Sequence, residues 1–178
     1  DFNDLGRALQ PLAKNQNLEL AYEQQGNIPD SFLDPKAFYQ VVNNFVDNAI
    51  KYTKEGYVHL SCTQAGDRIE MRIKDSGIGM NDEERSRLFT RFSRGEEASK
   101  MFANGSGLGM FVAHEILRQH GGEITVESEK GKGTTFILSV PIYNEEPKPV
   151  EVKDPLMVED QSQQADIART SERRKVAE

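Results

Sequence analysis

The chain is poor in cysteine, in long apolar runs and in positive charge. Cys62 is the only cysteine among 178 residues, so no internal disulfide is possible and a reducing compartment fits. Cys62 alternates with Val58 and Leu60 along a strand-like run, the place of a core thiol rather than of a nucleophile. No apolar run reaches about 18 residues, which excludes a membrane-spanning helix, and no secretory signal pattern opens the chain. The formal net charge of −7 argues against a nucleic-acid partner. Hydrophobic residues make up 37%, low for a chain folded throughout, so part of it is expected to stay unfolded. The length suits one domain with a modest core and a tail. The sequence opens at Asp1 rather than Met and reads as a piece of something longer.

Familiar site motifs are missing too. There is no GxxxxGK(S/T), and the glycine strings do not have GxGxxG spacing. His114-Glu115-Ile116-Leu117-Arg118 starts like HExxH but ends on Arg118, so a second metal-binding histidine is lacking. His114 reads as an ordinary helix residue, His120 as a residue favourable to a helix C-terminus, and His59 as lying on a polar strand face.

What is present reads as helices alternating with strand pairs. Leu5 to Asn15 has apolar residues at helical spacing, and Leu18 to Tyr22 reads as a short strand. Asp34 and Pro35 suit the N-cap and first turn of the clearest helix. In it Phe38, Val41, Val42, Phe45, Val46, Ala49 and Ile50 recur at alternating steps of three and one. Tyr57 to Thr63 and Arg68 to Asp75 alternate apolar with polar as a hairpin. A short helix near Glu83 to Leu88 and a flexible stretch from Ser93 to Asn104 follow. Gly107 to Gln119 is expected to be helical, ending at Gly121-Gly122. Glu123 to Ser128 and Thr134 to Val140 form a second hairpin around Gly131-Lys132-Gly133. Beyond about Tyr143 prolines and mixed charge predict a disordered tail over 144–178, where Arg173-Arg174-Lys175 is either a partner contact or simply solvated.

Three segments have chemical potential. On the long helix Asn44, Asn48 and Lys51 fall within about 60° of each other, away from the apolar stripe. An amide oxygen and an ammonium one turn apart can hold a hard cation and its phosphates, although such a face is equally compatible with plain solvation. Ile69, Met71, Ile73 and Asp75 share alternate positions, which puts the Asp75 carboxylate on the apolar face of its strand. A buried carboxylate needs donors. A purine amine would serve, with Gly77 and Gly79 letting the ligand near the backbone; a turn-capping Asp is the other reading. Gly105-Ser106-Gly107-Leu108-Gly109 opens a helix whose free N–H groups could bind phosphate. Between these segments Phe89 and Phe92, at i and i+3, are expected to anchor one end of a lid or to pack in the core. Arg94 offers a phosphate contact from the lid side.

In order and spacing these segments resemble the catalytic ATP-binding domain of bacterial sensor histidine kinases. That is one branch of the Bergerat-fold superfamily, which also holds gyrase B, Hsp90 and MutL. Asn44 to Tyr52 resembles the asparagine box and Asp75 to Gly79 the first glycine box. Phe89 to Arg94 resembles the phenylalanine box and Gly105 to Gly109 the second glycine box. Gly131 to Phe136 resembles the last glycine box. The resemblance covers about Asp1 to Val140 and implies an α+β, two-layer α/β sandwich. In it a mixed sheet of about five strands is covered on one face by about three helices, with a flexible ATP lid. The domain would span residues 1–143, beginning as the connection from a missing dimerisation and phosphoacceptor hairpin.

The resemblance also implies roles. Asn48 would ligate Mg²⁺, Lys51 would touch phosphate, and Tyr52 would lie against the nucleotide. Asp75 would accept from the adenine amine. Gly77, Gly79, Gly105, Gly107, Leu108, Gly109 and Thr134 would complete the ATP site beneath a lid from Phe89 to Asn104. Asn44, Asn48, Lys51 and Arg94 would form the catalytic set. Hydrolysing relatives and anti-sigma-factor serine kinases usually carry Glu where this chain has Asn44. An amide cannot serve as a general base, so the implied activity is transfer of the γ-phosphate to a histidine on a separate dimeric hairpin, the autokinase step of two-component signalling. The alternatives are a Bergerat-fold ATPase or serine kinase, or a nucleotide-binding pseudokinase. A response regulator is the implied downstream partner. The piece should be monomeric, cytoplasmic and without membrane contact of its own, the cytoplasmic part of a larger, dimeric, membrane-anchored sensor.

Overall fold

A computed structural model describes residues 2–14, 16, 18–29, 31, 33–92 and 107–143. Arg94, Gly105, most of the expected lid and the tail lie outside the described residues. Nine elements are described: α1 (Phe2–Lys14), β1 (Glu19–Gln25), α2 (Pro35–Lys51), β2 (Tyr57–Ala65), β3 (Arg68–Asp75), α3 (Asp82–Ser86), α4 (Gly109–Gln119), β4 (Glu123–Glu129) and β5 (Gly133–Pro141). The strands form one sheet in the order β1-β2-β3-β5-β4. β1 pairs parallel with β2, and the other pairs are antiparallel. A parallel neighbour needs a crossover, and α2 supplies it. The hairpins β2–β3 and β4–β5 supply two of the antiparallel pairs, and β3–β5 joins one hairpin to the other.

Alternation along the strands sorts the two faces. Val58, Leu60 and Cys62 of β2, Ile69, Met71 and Ile73 of β3, and Phe136, Leu138 and Val140 of β5 are all buried. Between them point exposed Arg72 and Lys74. One face is therefore apolar and must be covered. The cover is α1, α2 and α4, which present Leu9 and Ala13, Val41, Val42, Phe45, Val46, Ala49 and Ile50, and Ala113 and Leu117. Full burial of each large side chain contributes roughly 1.5–3 kcal/mol. The Phe45 and Phe136 rings meet at 4.8 Å between centroids, tilted by 57°. This is the two-layer α+β arrangement, a five-stranded mixed sheet under a helical layer.

α2 begins where Asp34 and Pro35 place it. The Asp34 carboxylate accepts from the Lys36 and Ala37 backbone N–H groups at 2.8 and 3.3 Å, and Pro35 occupies the first turn without needing a donor. Elsewhere the boundaries shift from the sequence-based expectation. α1 starts at Phe2 and carries Pro11 inside it. β1 runs on to Gln25, because pairing with β2 continues to Gln25↔Thr63. The helix after the second glycine string begins at Gly109 rather than Gly107, whose φ of +68° is left-handed and cannot belong to an α-helix. No helix among the described residues is long and apolar enough to cross a membrane.

Candidate nucleotide site

The site lies where α2, the end of β3 and the start of α4 converge. Asp75 is the last residue of β3 and is 5% exposed. Its Oδ1 accepts from the backbone N–H of Gly77 at 2.8 Å and of Thr134 at 3.2 Å. Among the described residues these are its hydrogen bonds, so Oδ2 is left to accept from a ligand. Burial pushes the Asp75 carboxyl up to about 6, against the pull of those two N–H donors. The aspartate thus does cap the turn, through one oxygen, while the second oxygen keeps its capacity.

The loop after Asp75 is strapped across the end of α2. The Tyr52 N–H donates to the Asn48 carbonyl, and the Tyr52 carbonyl accepts from Ile78 N–H at 3.2 Å. Thr53 is buried and its hydroxyl donates to the Ala49 carbonyl at 2.7 Å. A Cβ at Gly77 would meet the Tyr52 carbonyl oxygen, Thr53 Oγ1 at 2.8 Å and Asp75 Oδ1 at 2.9 Å. At Gly79, φ is +60° and a Cβ would run into the Glu129 carbonyl. The side of each glycine on which a Cβ would stand is filled by the chain itself. They hold the Asp75 loop against α2 and the β4–β5 turn.

The polar face of α2 is not simply solvated. Asn44 Nδ2 donates to the Gln40 carbonyl at 3.1 Å, and a Cβ on Gly109 would come 2.9 Å from Asn44 Oδ1. Asn48 Nδ2 lies 2.9 Å from Met110 Sδ. A thioether only accepts, so this contact turns the Asn48 amide nitrogen to Met110 and its oxygen away. Lys51 closes the last turn of α2 and is half-buried. α4 starts at Gly109 without a side-chain cap. The first N–H groups of an α-helix have no partner within the helix, and the helix dipole favours an anion at that end. No three His, Cys, Asp or Glu side chains cluster as a metal cage among the described residues. A hard cation would suit this donor set only with one amide oxygen and ligand phosphates or water.

Thr134 stands opposite Asp75 across the β3–β5 ladder and is buried. The structure therefore brings Asn44, Asn48, Lys51, Tyr52, Asp75, Gly77, Gly79, Gly107, Leu108, Gly109 and Thr134 to one region. The segment after α3 docks on α4. The Phe89 ring stacks on His114 at 4.9 Å, and the Arg91 guanidinium lies 4.7 Å over the Phe111 ring. His114 is thus a packing partner of Phe89. Phe92 does not share the face of Phe89: it is 72% exposed with φ +61°, because the chain has left helical geometry and the i, i+3 relation lapses. His120 joins the helix ends, its Nδ1 at 2.8 Å from the Ile116 carbonyl and its Nε2 accepting from Asp34 N–H at 3.4 Å. Sequence reasoning missed Met110, Thr53 and Ser128. Met110 and Ser128 act through partners distant in sequence or across a ladder, and Thr53, besides its local bond to Ala49, matters through Gly77, so no local spacing marks these roles.

Known proteins give the arrangement a context. The chain is 37% identical over 131 residues to the sensor protein EvgS of Escherichia coli O157:H7, covering 69% of this chain and 11% of EvgS. It is 41% identical over 103 residues to the sensor protein SrrB of Staphylococcus aureus, covering 57% of this chain and 18% of SrrB. It spans less than a fifth of either relative. Among solved structures, full-length ShkA in complex with AMPPNP superposes with a TM-score of 0.71 at 25% identity, over 84% of this chain and 30% of that one. The nucleotide-free catalytic domain of the histidine kinase ThkA shares the fold, with a TM-score of 0.67 at 22% identity over 79% of this chain and 91% of that one. The family model of histidine kinase-, DNA gyrase B- and HSP90-like ATPases matches residues 33–144. The chain belongs to that family, and the relatives and structures it is similar to are sensor proteins and histidine kinases.

Proposed function

We propose that residues 1–143 bind Mg-ATP and present its γ-phosphate to a histidine on a separate dimeric hairpin. The observation that carries this reading is that Asp75, with only Oδ1 engaged by the Gly77 and Thr134 N–H groups, Asn48, whose Nδ2 meets Met110, and the start of α4, which has no side-chain cap, lie in one region. Asp75 accepts from the adenine amine and Thr134 supports it. Asn48 Oδ1 and Lys51 face the phosphates with Gly107, Leu108 and Gly109, and Tyr52 lies against the nucleotide. Gly105 and Arg94 are assigned to the same phosphate end. A bound magnesium ion would supply charge neutralisation at the phosphates, with Asn48 Oδ1 as its protein ligand.

In the transfer, a ring nitrogen of the acceptor histidine forms a bond to the γ-phosphorus while the bond to the β,γ-bridging oxygen breaks and ADP leaves. The chain's own residues position the two and hold the charge. Asn44 stands beside Gly109 and has no basic atom to activate water. Hydrolysis should therefore be slow and the phosphoryl group kept for the incoming histidine. The domain itself is expected to be monomeric and cytoplasmic, with dimerisation and response-regulator contact belonging to a longer sensor.

Incubation with γ-labelled ATP tests the assignment. The expected result is no label on the chain, slow phosphate release, and label on the histidine of an added sensor-kinase acceptor hairpin. Rapid steady-state hydrolysis without any acceptor would favour an ATPase and overturn the kinase reading.

A further inference from the structure

Ser128 and Thr134 form a hydroxyl network whose proton directions follow from valence. They are register partners on β4 and β5. Ser128 Oγ lies 3.0 Å from the Gly133 carbonyl oxygen, 2.8 Å from the Met80 backbone nitrogen and 2.9 Å from Thr134 Oγ1. A carbonyl can only accept and a backbone N–H can only donate. The single Ser128 proton therefore goes to Gly133, and one lone pair takes the Met80 N–H. What remains for Thr134 is a lone pair, so Thr134 donates. Its own proton is spent inside the protein, and it turns only lone pairs to anything beyond. Thr134 also donates its backbone N–H to Asp75 Oδ1, and both side chains are buried on the same face of the sheet.

We infer that Ser128 is a positioning residue that sets the hydrogen-bond polarity of the base-reading end. By taking the Thr134 proton it makes Thr134 and Asp75 a pair of acceptors. Such a pair matches a ligand edge offering two N–H donors, the exocyclic amine of a 6-aminopurine, and repels the carbonyl of a 6-oxopurine. The inference rests on the adenine site proposed above. Ser128 touches no ligand and acts through Thr134. Without its hydroxyl, the Thr134 proton is free to rotate and donate to a ligand carbonyl. Met80 N–H and the Gly133 carbonyl would also lose a partner, but that loss bears equally on every nucleotide.

The test is calorimetric binding of ATP and of inosine triphosphate to the whole chain. The native chain, Ser128→Ala, Ser128→Thr, Thr134→Val and the Ser128→Ala/Thr134→Val pair are compared. The native chain should prefer ATP. Ser128→Ala should narrow that preference about tenfold, the worth of one polar contact changing sign, and Ser128→Thr should keep it. In the Thr134→Val background Ser128→Ala should not change the preference further. If Ser128→Ala weakens both nucleotides by one factor and leaves their ratio unchanged, the inference fails while the adenine site stands. Thr134→Val alone keeps the Met80 and Gly133 bonds, and it must also lower the preference. An unchanged ratio there overturns the inference even where Ser128→Ala does not fold. A native chain that binds neither nucleotide removes the adenine site and the inference with it.

Discussion

Replacing Asp75 by asparagine should make the protein more stable at neutral pH and worse at binding nucleotide. Asp75 is 5% exposed, and burial raises its carboxyl from 3.8 to about 6. The unfolded chain ionises near 3.8, so between that value and about 6 the folded state holds more proton than the unfolded one. Stability must therefore fall as pH rises through this window and stay low above it. The interval corresponds to roughly 3 kcal/mol, a ceiling because Oδ2 keeps its reach to ligand or water. Asparagine keeps an oxygen for the Gly77 and Thr134 N–H donors and carries no charge. Chemical denaturation at about pH 7.5 should show Asp75→Asn to be more stable by up to roughly 3 kcal/mol, with the gain fading toward about pH 4. Calorimetry on the same sample should show ATP affinity lost, because an amide Nδ2–H facing the adenine amine sets donor against donor. An asparagine variant that is less stable at neutral pH, or whose stability difference does not change with pH, would refute the burial argument.

Three further outcomes follow from the same geometry. ATP affinity should weaken by about tenfold per pH unit below about 6, as Asp75 takes a proton and can no longer accept through both oxygens; titrations across that range check it. Gly77→Ala should cost roughly 1–3 kcal/mol and weaken nucleotide binding, since its Cβ would press on the Tyr52 carbonyl and Thr53 Oγ1; thermal melts and titrations of one preparation read both. Met110→Leu keeps the volume and removes the acceptor for Asn48 Nδ2. Stability should change by less than about 1.5 kcal/mol while the magnesium dependence of ATP binding declines, which titrations with and without Mg²⁺ will show.

How much was legible depends on whether a residue's role is local. α2 declares itself through its apolar period and its Asp34-Pro35 start, and β3 through strict alternation ending on Asp75. Those patterns alone place Asn48 and Asp75 on the correct elements. The glycines near Asp75 were visible, but their reason was not. Gly77 answers to Tyr52 and Thr53, and Gly79 to Glu129, none of which its own neighbourhood announces. Met110 meets Asn48 from 62 positions away, and Ser128 meets Thr134 only through the β4–β5 register. Pairwise relations of this kind exist after folding and leave no period in the chain. α1 was legible as a helix but its start was not: the apolar spacing begins at Leu5, whereas the helix begins at Phe2 and runs through Pro11 to Lys14.

The central claim is that one nucleotide site joins the Asn48 face of α2 to the Asp75 end of β3. Titration calorimetry of the chain with ATP, with and without Mg²⁺, compared with Asn48→Ala and Asp75→Ala, tests it most directly. The account predicts micromolar binding, roughly −8 kcal/mol, abolished by Asp75→Ala with or without the metal. Asn48→Ala should remove chiefly the metal-dependent part. No binding by the native chain, or binding that neither substitution alters, would contradict it.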